Sequence, residues 1–259
     1  MLVFIIPLKS AEVSESWNTV SKLFERSLRS ICSQTDSDFR VVVVCHERPK
    51  IDFSHPHVHY LEVNFPIPNC NRKDKNIDKC KKIIKGLMYA KAVFAPNHIM
   101  IVDADDCISR HLASFVNQYP KSNGWVVNKG YVYKESSSVI YYRKSHFYAW
   151  CGTCNILNMN LCPLPEQDND YPDDLVEFYR SHGRLKETLR NKGHILENLP
   201  LIGSVYIIGN GENIYQKGFS TIHNANQGKI FFFFKELLKF RPLTSSIRKE
   251  FNLYQLKQN

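Results

Sequence analysis

The run Phe39-Arg-Val-Val-Val-Val-Cys45 constrains this chain more than any other segment. Four consecutive valines cannot present one face to water and one to a core, so the run reads as a strand buried on both faces. Such strands occur in sheets covered by helices on each side. The chain supplies companions for it. Leu2 to Pro7 is a second continuous apolar run, closed by proline, and His98 to Val102 is a third; Val58 to Val63 adds another strand. Between them, Trp17 to Ser33 carries Trp17, Val20, Leu23, Phe24, Leu28 and Ile31 at helical spacing. Lys79 to Phe94 does the same through Ile83, Leu87, Ala90 and Val93, ending at Pro96. Strand, helix, strand, strand, helix, strand predicts an α/β fold with a mostly parallel sheet flanked by helices.

The second half is less regular. Asn69 to Asp78 reads as a polar loop, Gly124 to Tyr133 and Ser138 to Tyr142 as strands of a hairpin, and Asn155 to Asn158 as another strand. Pro163 to Asp174 reads as a loop, and Leu175 to Lys192 as a helix stopped by Gly193. With 259 residues, no internal repeat and no low-complexity linker, the expectation is a single domain over 1–225. Residues 1–107 form its nucleotide-binding half and 108–225 its acceptor-side half, followed by a C-terminal helical extension over 226–259.

The net charge of +9 favours anionic partners. Zinc-finger spacing, an RNP-type signature and a continuous basic helix are all missing from the sequence, so phosphorylated small molecules are expected rather than nucleic acid. Eight cysteines sit mostly in apolar segments and read as reduced, which implies a cytoplasmic compartment. Cys151-Gly152-Thr153-Cys154 has CxxC spacing without a second ligand pair for zinc, so these too read as structural thiols. No stretch has the length to span a bilayer. The apolar run Ile230 to Phe234, followed by basic residues, leaves two readings open: a docked terminal helix, or a peripheral membrane contact at the inner face.

Asp103-Ala104-Asp105-Asp106 follows directly on the His98–Val102 strand. Ligands of open parallel sheets bind at the carboxyl ends of strands, and crowded carboxylates there call for a compensating cation. Hard oxygen donors suit Mg²⁺ or Mn²⁺, with substrate phosphates completing the shell. The competing reading is a turn or helix cap near Ser109; three acids in four residues exceed what a cap needs.

These residues resemble the DxD motif of GT-A glycosyltransferases, in particular the family-2-like group. The opening Ile5-Ile6-Pro7 and the helix containing Gly86-Leu87 match the same frame, over about residues 1 to 215. The resemblance implies a nucleotide-sugar transferase that uses Mn²⁺ or Mg²⁺ and hands a sugar to a hydroxyl of a saccharide or lipid-linked acceptor, with inversion. It implies that Pro7, Leu8 and Lys9 line the base pocket, that Glu47 contacts base or ribose, that Asp103 faces the ribose, and that Asp105 binds the metal with Asp106 as helper. Lys75, Lys79 or Lys82 would approach the diphosphate. Leu185, Leu189 and Gly193 fit the family's downstream frame, which sets His182 where the family has its acidic general base; an imidazole can fill that role. Asp173 and Asp174 are the fallback base or cap the next helix. Asn210, in Asn210-Gly211-Glu212-Asn213, stands where the family has a histidine metal ligand, and His223 is its nearby substitute. Gly152 would permit close acceptor approach, with Tyr148 and Trp150 stacking on a sugar.

Two rivals stand beside this reading. A nucleotidyltransferase would carry a glycine-rich phosphate loop, and Pro7 to Ser16 holds no glycine. A catalytically degenerate binding or scaffold protein would explain the missing acidic base and the asparagine at the third ligand position.

Overall fold

The computed structural model describes residues 1–168, 171–212 and 238–256. Its first sheet is built on the apolar runs. Strand β1 (Leu2–Pro7) lies between β2 (Phe39–Cys45) and β4 (His98–Ile101), and β2 pairs outward with β3 (Val58–Glu62), all parallel. On the other side β4 pairs antiparallel with β9 (Asn155–Asn158), which pairs antiparallel with β6 (Gly124–Val126), and β10 (Glu197–Asn198) closes the edge. Among the described residues the order is β10-β6-β9-β4-β1-β2-β3. The expected fold class, a mostly parallel α/β sheet flanked by helices, is the one observed.

The four valines explain the layering. Val41 and Val43 point into one core with Phe4, Ile6 and Phe24, while Val42 and Val44 point into another with Ile5, Ile84 and Leu87. Helix α1 (Trp17–Ile31) covers the first face and α2 (Arg72–Phe94) the second. α2 comes so close to the sheet that a Cβ on Gly86 would sit 2.8 Å from Ile5 Cγ2 and 2.9 Å from Val44 Cγ2. Gly86→Val should therefore cost about 1–3 kcal/mol by overpacking, read as a lowered denaturant midpoint with an unchanged m-value.

A second sheet packs behind the first. Its order is β12 (Phe240–Pro242), β8 (Val139–Arg143), β7 (Gly130–Lys134), β11 (Ser204–Ile208) and β5 (Cys107–Ile108). Val132, Tyr141 and Ile208 from this sheet share a core with Phe4, Phe24 and Met100, so the two sheets form one domain. The expected strand Gly124 to Tyr133 is two strands, β6 in the first sheet and β7 in the second, and only β7 forms the hairpin with β8, paired antiparallel. α3 (Leu112–Val116) follows β5.

Three further expectations need correction. α2 begins at Arg72, not Lys79: Asn71 Oδ1 caps it by accepting from the Asp74 amide at 2.9 Å, and its first turns are polar because they border a cleft. The Leu175–Lys192 helix is two helices, α4 (Asp173–Arg180) and α5 (Leu185–Asn191), separated by a 3-10 turn over His182–Arg184. At the break the Asn155 Nδ2 donates to the His182 carbonyl at 3.0 Å, and the same carbonyl accepts the Leu185 amide that closes the 3-10 turn. Third, the described part of 226–259 is not helical throughout: β12 extends the second sheet before α6 (Ser245–Phe251), which buries Phe251 against Tyr131. The apolar run Ile230 to Phe234 lies outside the described residues. Among those described, no helix is long and apolar enough to cross a membrane.

Candidate active site

A cleft of about 640 Å³ opens at the carboxyl ends of β1 and β4. One wall is the turn after β1, with Pro7, Leu8 and Lys9; the opposite wall is the N-terminal half of α2, which presents Arg72, Lys75 and Lys79. Asp103, Ala104 and Asp105 form the floor, and Trp150, Gly152 and His182 close the far side. The structure thus brings together the expected residues Pro7, Leu8, Lys9, Lys82, Asp103, Asp105 and His182 around one cavity, which is large enough for a small-molecule ligand.

The three aspartates separate sharply. Asp103 is half-buried and pairs with the Lys79 ammonium at 2.5 Å, while its amide donates to Thr153 Oγ1 at 2.9 Å. Gly152 makes this packing possible, since a Cβ there would lie 2.6 Å from Asp103 Oδ2. Asp105 accepts from Asn210 Nδ2 at 2.9 Å. Burial first, and then the like charge of Asp103, raise its pKa above the ordinary carboxylate value.

Asp106 turns away from the cleft. It is fully buried and accepts from Thr153 Oγ1 at 2.6 Å, Cys151 Sγ at 3.1 Å and the Ile207 amide at 3.1 Å. Burial, followed by Asp105 and Asp103, pushes its pKa well up. The expected helper role in metal binding is therefore not met. Asp106 ties β11 to the 151–153 segment, and that segment carries Gly152 and Thr153 to Asp103. The CxxC thiols have structural partners too: Cys151 donates to Asp106, and Cys154 to the Tyr148 carbonyl at 3.7 Å.

Glu47 does not line the cleft. Its carboxylate accepts from Ser10 Oγ at 3.2 Å and from the Ala11 amide, so it shapes the turn after β1 from behind rather than facing base or ribose. Lys82 borders the cleft with its charge committed inward, donating to the Leu8 carbonyl and to Asp78 Oδ2, each at 2.8 Å. Burial lowers its pKa. Asp173 and Asp174 are exposed in the first turn of α4, where they favour the helix N-terminus, and they stay away from the cleft. Trp150 lines the cleft with the Arg143 guanidinium 3.9 Å from its ring centroid, a cation–π contact on the indole. His223 lies outside the described residues.

Glu212 is the residue that sequence reasoning missed. Its buried carboxylate accepts from the Ser16 amide at 2.7 Å and from Lys9 Nζ at 2.6 Å, joining the loop after β11 to the start of α1. The loop is set by Asn210, whose Oδ1 accepts from the Glu212 amide at 2.9 Å while its Nδ2 reaches Asp105. Lys9 is thereby fixed at the rim.

Among the described residues, no group of three or more His, Cys, Asp or Glu side chains is placed to hold a metal ion. Asn210 presents an N–H, not an oxygen, to Asp105, so the expected third ligand is turned the wrong way. Asp103 and Asp105 do fit Mg²⁺ or Mn²⁺ in the form such ions usually take. In that form one or two carboxylates serve as ligands, and phosphate oxygens and water fill the remaining positions. Burial, followed by the like charge of Asp103, raises the Asp105 pKa, and a cation there would offset both.

No protein-family model and no curated protein matches the sequence. Among solved structures, similar ones include residues 1–349 of TarS from S. aureus in complex with UDP, at 13% identity and a TM-score of 0.46. That match covers 80% of this chain and 60% of the TarS chain, so the chain spans less than two thirds of its length. An active-site mutant of LgtC is similar at 9% identity and a TM-score of 0.41, covering 96% of this chain and 100% of that one. A Francisella tularensis cytidylyltransferase, IspD, is similar at 9% identity and a TM-score of 0.37, covering 87% and 98%.

Proposed function

We propose that this chain is a nucleotide-sugar transferase that moves a sugar from a nucleoside-diphosphate sugar to a hydroxyl of a saccharide or lipid-linked acceptor, with inversion. One observation carries the reading: a single cleft at the strand ends combines the Asp103/Asp105 pair with Lys9, Arg72, Lys75 and Lys79. Carboxylates alone would repel a diphosphate, and lysines alone would bind any anion. Together they suit a diphosphate accompanied by a divalent cation. Leu8 and Val13 give the apolar ground for a base, and Trp150 the aromatic surface for a sugar.

In this account the basic face of α2 draws in the diphosphate, and the turn after β1 receives the base. Asp103 and Asp105 would hold Mn²⁺ or Mg²⁺, which would supply Lewis-acid stabilisation of the leaving diphosphate. The His182 imidazole takes the proton of the acceptor hydroxyl as its oxygen attacks the anomeric carbon. The bond from that carbon to the phosphate oxygen breaks, and the electron pair leaves with the nucleoside diphosphate. A binding module without turnover is the second reading, favoured by the N–H donors that Lys79 and Asn210 already place on both carboxylates.

Cys70 offers a test that does not depend on turnover. It lines the cleft rim and is the exposed one of the eight cysteines, the others being buried or half-buried. A bound nucleotide sugar should slow alkylation of Cys70 by up to about elevenfold when the ligand is at ten times its Kd, read by mass spectrometry. Equal rates with every nucleotide sugar would count against occupancy of this cleft.

A further inference from the structure

The Lys79–Asp103 ion pair bears on the order in which ligands enter the cleft, a consequence that rests on the nucleotide reading above. Lys79 lies one helical turn after Lys75, on the face of α2 that borders the cleft. Its ammonium is 2.5 Å from Asp103 Oδ1, and the two side chains are 27% and 24% exposed, so both remain open to a solute. The Asp103 backbone is held by Thr153, and its carboxylate lies against Gly152. A divalent cation approaching Asp103 and Asp105 therefore meets a positive charge already seated on one of its two carboxylates.

A diphosphate changes this balance. Bound between Lys75 and Lys79, it would offer its oxygens to an ammonium on a flexible four-carbon stem. Lys75, whose ammonium spans to the Val13 carbonyl at 3.2 Å, adds charge on the same side. We infer that Lys79 makes divalent-metal binding conditional on the nucleoside diphosphate. Without it, the ammonium holds Asp103 against the metal; with it, the ammonium moves to phosphate oxygens and Asp103 joins Asp105 as a ligand. Lys79 is thus an internal competitor for the metal site as well as a phosphate contact, and by linkage the metal strengthens nucleotide binding by the same factor.

The test is Mn²⁺ binding to the full chain, followed by the electron paramagnetic resonance of the free ion. It is measured alone and with UDP, GDP, CDP or ADP in turn. Wild type should bind Mn²⁺ weakly alone and at least about tenfold more tightly with its nucleoside diphosphate, within the usual range of coupling between sites. Lys79→Met should bind Mn²⁺ alone about tenfold more tightly than wild type, with the nucleotide effect reduced by a similar factor. Lys79→Arg, which keeps the cation, should stay near wild type. An unchanged unfolding midpoint verifies the fold, and Lys79→Gln replaces the methionine variant if that one does not fold. Lys79→Met or Lys79→Gln binding Mn²⁺ alone no more tightly than wild type would overturn the inference. If wild type binds none of the four nucleotides, the nucleotide reading fails instead, and the arm with Mn²⁺ alone still decides whether Lys79 competes for the metal.

Discussion

Glu135→Ala should destabilise the protein by about 3–5 kcal/mol, because it strands a buried guanidinium. Arg26 sits in the middle of α1 with no exposed surface, and its guanidinium donates to Glu135 at 3.0 and 2.8 Å and to the Tyr254 carbonyl at 3.0 Å. One charged group thereby fastens α1 to the end of β7 and to the C-terminal segment. Removing the carboxylate leaves the positive charge without its counter-ion in a site that water scarcely reaches. At about 2–4 °C per kcal/mol for a chain of this size, the melting midpoint should fall by roughly 6–20 °C. The double variant Arg26→Met, Glu135→Leu should recover much of that loss, since a buried ion pair contributes little once both partners become apolar. A loss below about 1 kcal/mol for Glu135→Ala would show that the pair is solvated and that Arg26 does not hold the two sheets' helix in place.

Asp105→Asn should lower kcat/KM for sugar transfer by at least about 10²-fold, the usual scale for removing one preorganised electrostatic group, while leaving the fold intact. Asp105 is half-buried at the cleft floor, and Asn210 can bond to an amide in its place. Asp106 provides the contrast. Asp106→Ala strips the Ile207 amide and the Thr153 hydroxyl of a buried acceptor, and each such loss costs about 1–3 kcal/mol. Two adjacent carboxylates should thus separate cleanly in steady-state kinetics and denaturant unfolding, one acting on turnover and the other on stability. Equal effects on both measurements would mean that the site is not divided as the hydrogen bonds indicate.

The first sheet was legible because its central strands β1 and β2 are buried on both faces, and runs such as FRVVVVC have few other fates. The helices over it were legible in the interior, where Leu87 and Phe24 recur at helical spacing. The start of α2 was not: Arg72 to Lys79 borders the cleft, so its polarity mimics a loop. The break at His182 was hidden for a related reason. Asn155, 27 positions away, bonds to the His182 carbonyl at the break, and no local pattern records such a bond. Within the site, the position of the acids after β4 followed from strand topology. Their division did not, because Asp103, Asp105 and Asp106 are chemically identical and only Thr153, Cys151 and Ile207 distinguish the third. Glu47 misled for the same reason, as a carboxylate after β2 can face a ligand or, as here, close a turn from behind. Glu212 gave no signal, since its partners, the Ser16 amide and the Lys9 ammonium, lie some 200 residues earlier in the chain.

The central claim is that the cleft holds a nucleotide sugar, and thermal unfolding of wild type and Asp105→Ala against a panel of nucleotide sugars, with and without Mn²⁺, tests it most directly. A ligand at about 100 times its Kd adds about 2.7 kcal/mol of stability, enough to move the midpoint by several degrees. The account predicts such a rise for one class of nucleotide sugar, larger with Mn²⁺ and lost in Asp105→Ala. No rise with any nucleotide sugar in wild type, with or without Mn²⁺, would contradict it.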